Sequence, residues 1–133
     1  MPHTEPPGIV PRMDDSTVGA LLGIVMSVVV LGILFMVTRM GASGELGRNG
    51  AVGIRTRATK RSDAAWRAGH AAALPVVRTV CLVVLVLDLV CLALLFLGPA
   101  SLVPWLGVIP SVAILAAAVP LVLAAKKGAD GAA

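Results

Sequence analysis

An aspartate in the middle of an otherwise apolar run is the residue whose chemistry most needs explaining. Asp88 lies close to the centre of Val76–Leu97, VVRTVCLVVLVLDLVCLALLFL, and an acid at membrane mid-depth is costly enough that it normally faces a partner or a water-filled cavity. Three uses suit it: proton coupling, contact with a second protein, or a structural hydrogen bond to Ser27, Ser111 or a carbonyl freed near Pro110. On a helical wheel Arg78, Cys81, Asp88 and Cys91 fall within about 140 degrees, a polar stripe expected to point inward. The two cysteines stand ten residues apart, roughly 15 Å along a helix, too far for a disulfide between them. They read as small packing residues.

A second group, Arg55, Thr56, Thr59, Trp66 and His70, can form a polar cluster next to the apolar runs, with His70 able to change charge near neutral pH. A catalytic use lacks a nucleophile with an obvious base, whereas a hydrogen-bonded scaffold or a recognition surface for a partner would employ the same residues. An enzyme using His70 together with Asp88 is the weakest reading, since 18 residues, about 27 Å of helix, separate them. No metal site is expected: His3 lies in the Pro-rich start and the thiols sit in a different segment from His70. No cofactor is expected either. The glycines at 41, 44, 47, 50 and 53 resemble a phosphate-binding loop in spacing, but no Gly-Lys-Ser/Thr follows and no strand precedes, so they read as a flexible linker.

The elements that must position these residues follow from composition. Of 133 residues 58% are hydrophobic and only 14% charged, which leaves too little polar surface for a water-soluble enzyme. Val18–Thr38 is uncharged over 21 residues, about 31 Å as a helix and enough to cross a bilayer. A signal peptide competes for this segment, yet Glu5, Asp14 and Asp15 precede it against Arg12 alone, and the run exceeds a usual signal core. In the second run a central Asp costs about 3 kcal/mol, while 16 Val, Leu and Phe residues return roughly 5 to 10. The third run, Leu102–Ala124, is uncharged and carries Pro104, Pro110 and Pro120, with kinks expected near the last two. The expected fold class is therefore an all-α membrane protein: three transmembrane helices in one domain over residues 18–124, with tails 1–17 and 125–133 expected to be mobile.

Arg39, Arg48, Arg55, Arg57, Lys60, Arg61 and Arg67 fall in the loop 39–75, and Lys126 and Lys127 in the tail. The positive-inside rule then puts that loop and the C-terminus in the cytoplasm and the N-terminus outside. Anionic lipid headgroups are the expected partners of the loop, which leaves no need for nucleic acid. Thr59 or Ser62 can cap a cytoplasmic amphipathic helix carrying Asp63, Trp66, Arg67, His70 and Leu74, with an ion pair from Asp63 to Arg67. This helix is expected to lie in the interface, Trp66 at headgroup depth, until Pro75 breaks it. Gly19, Gly23 and Ser27 on the first span, and Gly107 and Ser111 on the third, clear faces for close helix packing. Some of these faces suit another membrane protein or a homo-oligomer.

Asn49, Gly53-Ile54-Arg55-Thr56, Thr59, Trp66 and His70 spell N-x-x-x-G-I-R-T-x-x-T-x-x-x-x-x-x-W-x-x-x-H, which resembles the signature of the SdpI family of bacterial membrane proteins. The layout of one span before it and two after is similar to the family's short three-helix members. Arg57 stands where members often have proline, and Ala71-Ala72-Ala73 where they are Gly-rich. The resemblance implies a non-enzymatic protein of the bacterial plasma membrane, with immunity to a secreted killing peptide or signalling of its presence, and those signature residues as partner-binding candidates. The alternative is an accessory subunit that stabilises a larger cell-envelope enzyme or transporter complex.

Overall fold

A computed structural model describes residues 13–132. Among these the chain is helical and contains no strand: α1 (Asp15–Ser43), α2 (Asp63–Leu97), a 3-10 turn (Ala100–Leu102), α3 (Val103–Leu106) and α4 (Val108–Asp130). Asp15–Ser43, Asp63–Leu97 and Ala100–Asp130 are each long and apolar enough to cross a membrane. All three extend beyond the runs at 18–38, 76–97 and 102–124. Of the N-terminal tail, residues 1–12 lie outside the described part; Asp15 onward is helix, capped by the Asp14 carboxylate, which accepts from the Thr17 N–H at 2.9 Å.

Heptad-like spacing explains why the helices pack lengthwise. The buried face of α1 is Ala20, Ile24, Ser27, Leu31, Thr38 and Gly41, steps of three, four and seven that keep one stripe on its neighbours. On α2 the stripe runs Trp66, His70, Ala73, Val77, Val84, Asp88 and Cys91. One apolar cluster joins Ala20 and Ile24 to Cys91, Val103 and Leu106; another joins Ala73 and Val77 to Leu121 and Ala125. Much of the remaining helix surface is apolar and exposed, including Leu22, Ile33, Leu82, Leu89, Leu115 and Leu123, as lipid requires.

The separate interfacial helix expected before Pro75 is not there. Asp63–Leu97 is a single helix with Pro75 inside it. A mid-helix proline forfeits a backbone hydrogen bond and costs about 3 kcal/mol, but Ala73 and Val77 on either side of it are both fully buried, so packing holds the axis where the proline alone would break it. Trp66 is not an exposed anchor for lipid headgroups either; it is 1% exposed, packed inside the protein. Asp63 pairs with Arg48 at 2.8 Å instead of with Arg67. Arg78 is exposed, because it stands roughly 110 degrees from the centre of the stripe that Val77, Val84, Asp88 and Cys91 define.

The third apolar run is interrupted at Gly107, between α3 and α4. Pro104 and Pro110 sit in the first turns of these two helices, where no intrahelical N–H is lost, while Pro120 lies inside α4. The helix continues to Asp130, so the tail expected to be mobile from residue 125 is ordered helix, with Ala125 and Ala129 fully buried. The Arg61 guanidinium donates to the Ala129 carbonyl at 2.9 Å, satisfying one of the last carbonyls of α4. That contact puts the loop and the C-terminal end at one end of the bundle.

Among the small residues, Gly23 and Gly107 meet: a Cβ on Gly23 would stand 2.7 Å from the Gly107 Cα. Gly19 faces open space, and the Ser111 hydroxyl donates to the Gly107 carbonyl of its own turn at 3.3 Å. Gly23→Val should therefore lower the thermal stability of the detergent-solubilised protein by about 1–3 kcal/mol, the usual cost of overpacking, whereas Gly19→Ala should leave the melting temperature unchanged. Equal melting temperatures in the two variants would show that the Gly23–Gly107 approach relaxes to admit a side chain and is not a required contact.

Candidate functional site

The loop Gly44–Ser62 folds onto the start of α2 through a small set of hydrogen bonds. α1 ends at Gly44, whose φ of 86° is the left-handed cap that glycine favours. Ser62 opens α2 by accepting the Ala65 N–H at 3.0 Å. Between these ends lie the signature residues. The Ile54 N–H donates to His70 Nε2 at 3.0 Å, and His70 Nδ1 lies 2.9 Å from the Trp66 carbonyl. With Nε2 accepting, the proton of the neutral ring is on Nδ1, which donates to that carbonyl. Trp66 in turn donates from Nε1 to the Leu46 carbonyl at 2.7 Å. The two rings are in contact, with centroids 4.3 Å apart and planes tilted by 40°.

Thr56 and Thr59 form a reciprocal pair. The Thr56 N–H donates to Thr59 Oγ1 at 2.9 Å and the Thr59 N–H to Thr56 Oγ1 at 3.1 Å; the Thr59 hydroxyl donates to the Ile54 carbonyl at 2.7 Å. Such local side-chain bonds fix a turn that has neither helix nor sheet to satisfy its backbone. Gly53 has a φ of 125°, and a Cβ there would lie 2.6 Å from the Trp66 ring. No other residue type fits that position without strain. Arg55 Nη1 donates to the Gly50 carbonyl and, at 3.4 Å, to that of Arg48, yet its side chain is exposed. Asn49 is exposed too, beside Arg48, Asp63 and Arg67 around a polar cavity of about 270 Å³.

The structure thus brings Gly53, Ile54, Thr56, Thr59, Trp66 and His70 into one cluster and leaves Asn49 and Arg55 at its edge. Several participants had no signal of their own in the sequence. Leu46 contributes a carbonyl, which any residue would, and Arg48 braces Asp63 and the Lys60 carbonyl. Gly41 clears room for the His70 ring; its place in the α1 heptad pattern, three residues after Thr38, could have identified it as a buried contact. Of the glycines from 44 to 53, Gly44 caps α1 and Gly53 stands in the loop, both with positive φ.

Asp88 stands apart from this cluster, 3% exposed. Ser27 Oγ donates to its Oδ2 at 3.0 Å, and Oδ1 has no partner. Of the three hydroxyl or carbonyl sources expected for it, Ser27 is the one that reaches it. Cys91 packs among apolar side chains near the same level, and the Cys81 thiol points to the Leu31 carbonyl at 3.8 Å. No group of three or more His, Cys, Asp or Glu that could hold a metal occurs among the described residues.

These features define a three-span helical membrane protein with a folded loop between its first two spans. The SdpI/YfhL protein family model matches residues 45–124, from the start of that loop to the end of the last apolar run, and the chain belongs to this family. No curated protein and no solved structure matches the chain.

Two outcomes follow from the geometry. Gly53→Ala should destabilise the loop by about 1–3 kcal/mol, and Trp66→Phe, which keeps the ring but leaves the Leu46 carbonyl without its donor, by about 1 kcal/mol; both should speed tryptic cleavage between residues 48 and 61, while Arg57→Ala should leave the other cleavages at their normal rate. Separately, Asp88→Asn should retain expression and melting temperature, because the amide oxygen can accept from Ser27. Asp88→Lys should abolish accumulation of the protein, since an ammonium there has no acceptor beyond one hydroxyl. Tolerance of Asp88→Lys would mean that water reaches the site.

Proposed function

We propose that this chain is a non-enzymatic immunity or sensor protein of the bacterial plasma membrane, protecting the bilayer against a secreted toxic peptide or relaying its presence. Family membership supports the reading first. The observation that carries it further is the use of the signature's polar atoms: His70, Trp66, Thr56 and Thr59 spend theirs on one another and on loop backbone, which suits a scaffold that presents a surface better than a reaction centre. Arg55, Arg57 and Asn49 remain exposed on it, and they are the residues we assign to partner contact. In this reading the loop and C-terminus are cytoplasmic and the N-terminus is outside, as the Lys and Arg distribution favours.

An accessory role is the second reading. It is favoured by the broad apolar face of α2, where Leu82 and Leu89 are both about two-thirds exposed: three spans leave much surface for a larger envelope complex. Deletion of the gene should lower survival against a killing peptide secreted by related strains, and the wild-type chain should restore it. Unchanged survival against every such peptide, together with one-to-one co-purification of a large membrane protein at native expression, would replace immunity with the accessory role.

A further inference from the structure

The face between α1 and α4 carries a groove that the scaffold does not use. Its walls are Val30, Ile33, Leu34 and Val37 from α1 and Leu121 and Val122 from α4, and its loop end is closed by Gly53, Ile54, Arg55 and Thr56. The volume is about 600 Å³, inside the usual range of small-ligand sites of roughly 300–1,000 Å³. A second apolar cavity of about 170 Å³ shares Val30, Leu34 and Leu121 with it and extends the same apolar lining to Val80 and Ile114. Ile33 is 57% exposed, so the groove opens sideways to the bilayer.

We propose that this groove binds one anionic phospholipid, with an acyl chain lying along Val30–Val37 and the phosphate against the Arg55 guanidinium. The order of chemistry along the groove supports this occupant. Apolar walls end at Arg55, which lines the loop end of the groove, and its side chain is tethered by Nη1 to the Gly50 and Arg48 carbonyls, while its remaining N–H groups have no partner among the described residues. A guanidinium fixed in this way is suited to phosphate oxygens. Size argues against a helix from a second copy or a partner. Val30 to Thr38 spans about 12 Å, so the volume corresponds to a mean cross-section of roughly 50 Å², narrower than a helix 10–12 Å across with its side chains. A single hydrocarbon chain is thin enough. The inference depends only on the membrane-spanning fold, so a negative killing assay leaves it standing.

The test is native mass spectrometry of the full chain, purified in a neutral detergent and mixed with equimolar phosphatidylglycerol and phosphatidylcholine in micelles. The wild type should retain one phosphatidylglycerol, preferred by about fivefold, the weight of a single basic residue near an anionic lipid surface. Arg55→Gln should remove the preference, and Lys126→Gln, an equal charge change at an exposed position on α4, should not. Because Arg55 also braces the loop, Ile33→Trp gives an independent check: it fills the groove with no change of charge and should reduce retention of both lipids, with far-ultraviolet circular dichroism unchanged. Equal retention of the two lipids by the wild type, or equal losses in Arg55→Gln and Lys126→Gln, would overturn the proposal. So would a lipid-free dimer that Ile33→Trp splits into monomers, which would give the groove to a second copy.

Discussion

The hydrogen bond from the Ile54 N–H to His70 Nε2 connects the loop to the helix that everything else packs against. It is made sixteen residues apart in sequence, and it works only because the ring is neutral and its other nitrogen is occupied by the Trp66 carbonyl. Once His70 holds Ile54, the Ile54 carbonyl is in place for Thr59, and the Thr56–Thr59 pair closes the turn. The same placement puts Gly53 against the Trp66 ring, where no side chain could stand. A loop beside a bilayer has few waters to satisfy its backbone, so each such pairing removes a desolvation cost that an irregular segment would otherwise carry.

Farther from the loop the constraint changes from hydrogen bonding to close approach. Helices in lipid gain little from hydrophobic burial against each other, because the acyl chains are as apolar as their side chains. Contact must come from packing and from the few polar groups available. Gly23 lets α1 meet the break at Gly107 at backbone distance, and Ser27, one turn on, supplies the single hydrogen bond that Asp88 receives. These two contacts lie on the same stripe of α1 as Ala20, Ile24 and Leu31. The acid is thus accommodated by the surface that already joins the helices, and no separate polar core is needed.

The spans were legible because length and apolarity are properties of a window, and no tertiary contact can conceal them. The elements misread are those where a local rule met a tertiary one. Proline at 75 is a helix breaker in isolation, but buried Ala73 and Val77 on both sides fix the axis. Trp66, in a basic loop next to an apolar run, has the setting of an interfacial anchor, yet its indole N–H finds the Leu46 carbonyl, which no sequence pattern encodes; the exposed tryptophan is Trp105, in α3. Arg78 shares a broad arc with Cys81, Asp88 and Cys91, but in that part of α2 the buried residues Val77, Val84, Asp88 and Cys91 cover only about 60 degrees of the wheel. The small residues from Gly128 to Ala133 offer too little apolar surface to suggest an ordered tail, whereas Ala125 and Ala129, four residues apart, continue the buried stripe of α4.

The signature itself was legible as a set of residues and opaque as to purpose. Histidine, tryptophan, two threonines and an arginine within 16 residues look like the parts of a binding or reaction centre. In the structure the inward-facing members have no side-chain donor left for a ligand: the ring nitrogens of His70 are both engaged, the indole N–H of Trp66 is engaged, and the threonine hydroxyls donate to each other and to the Ile54 carbonyl. What the cluster determines is the position of its edge. Arg55 is held by the carbonyls of Arg48 and Gly50 at the border between folded loop and open apolar groove, and its charge stands there because the six residues behind it are spent on shape. Recognition in such an arrangement belongs to the residues that the scaffold leaves out.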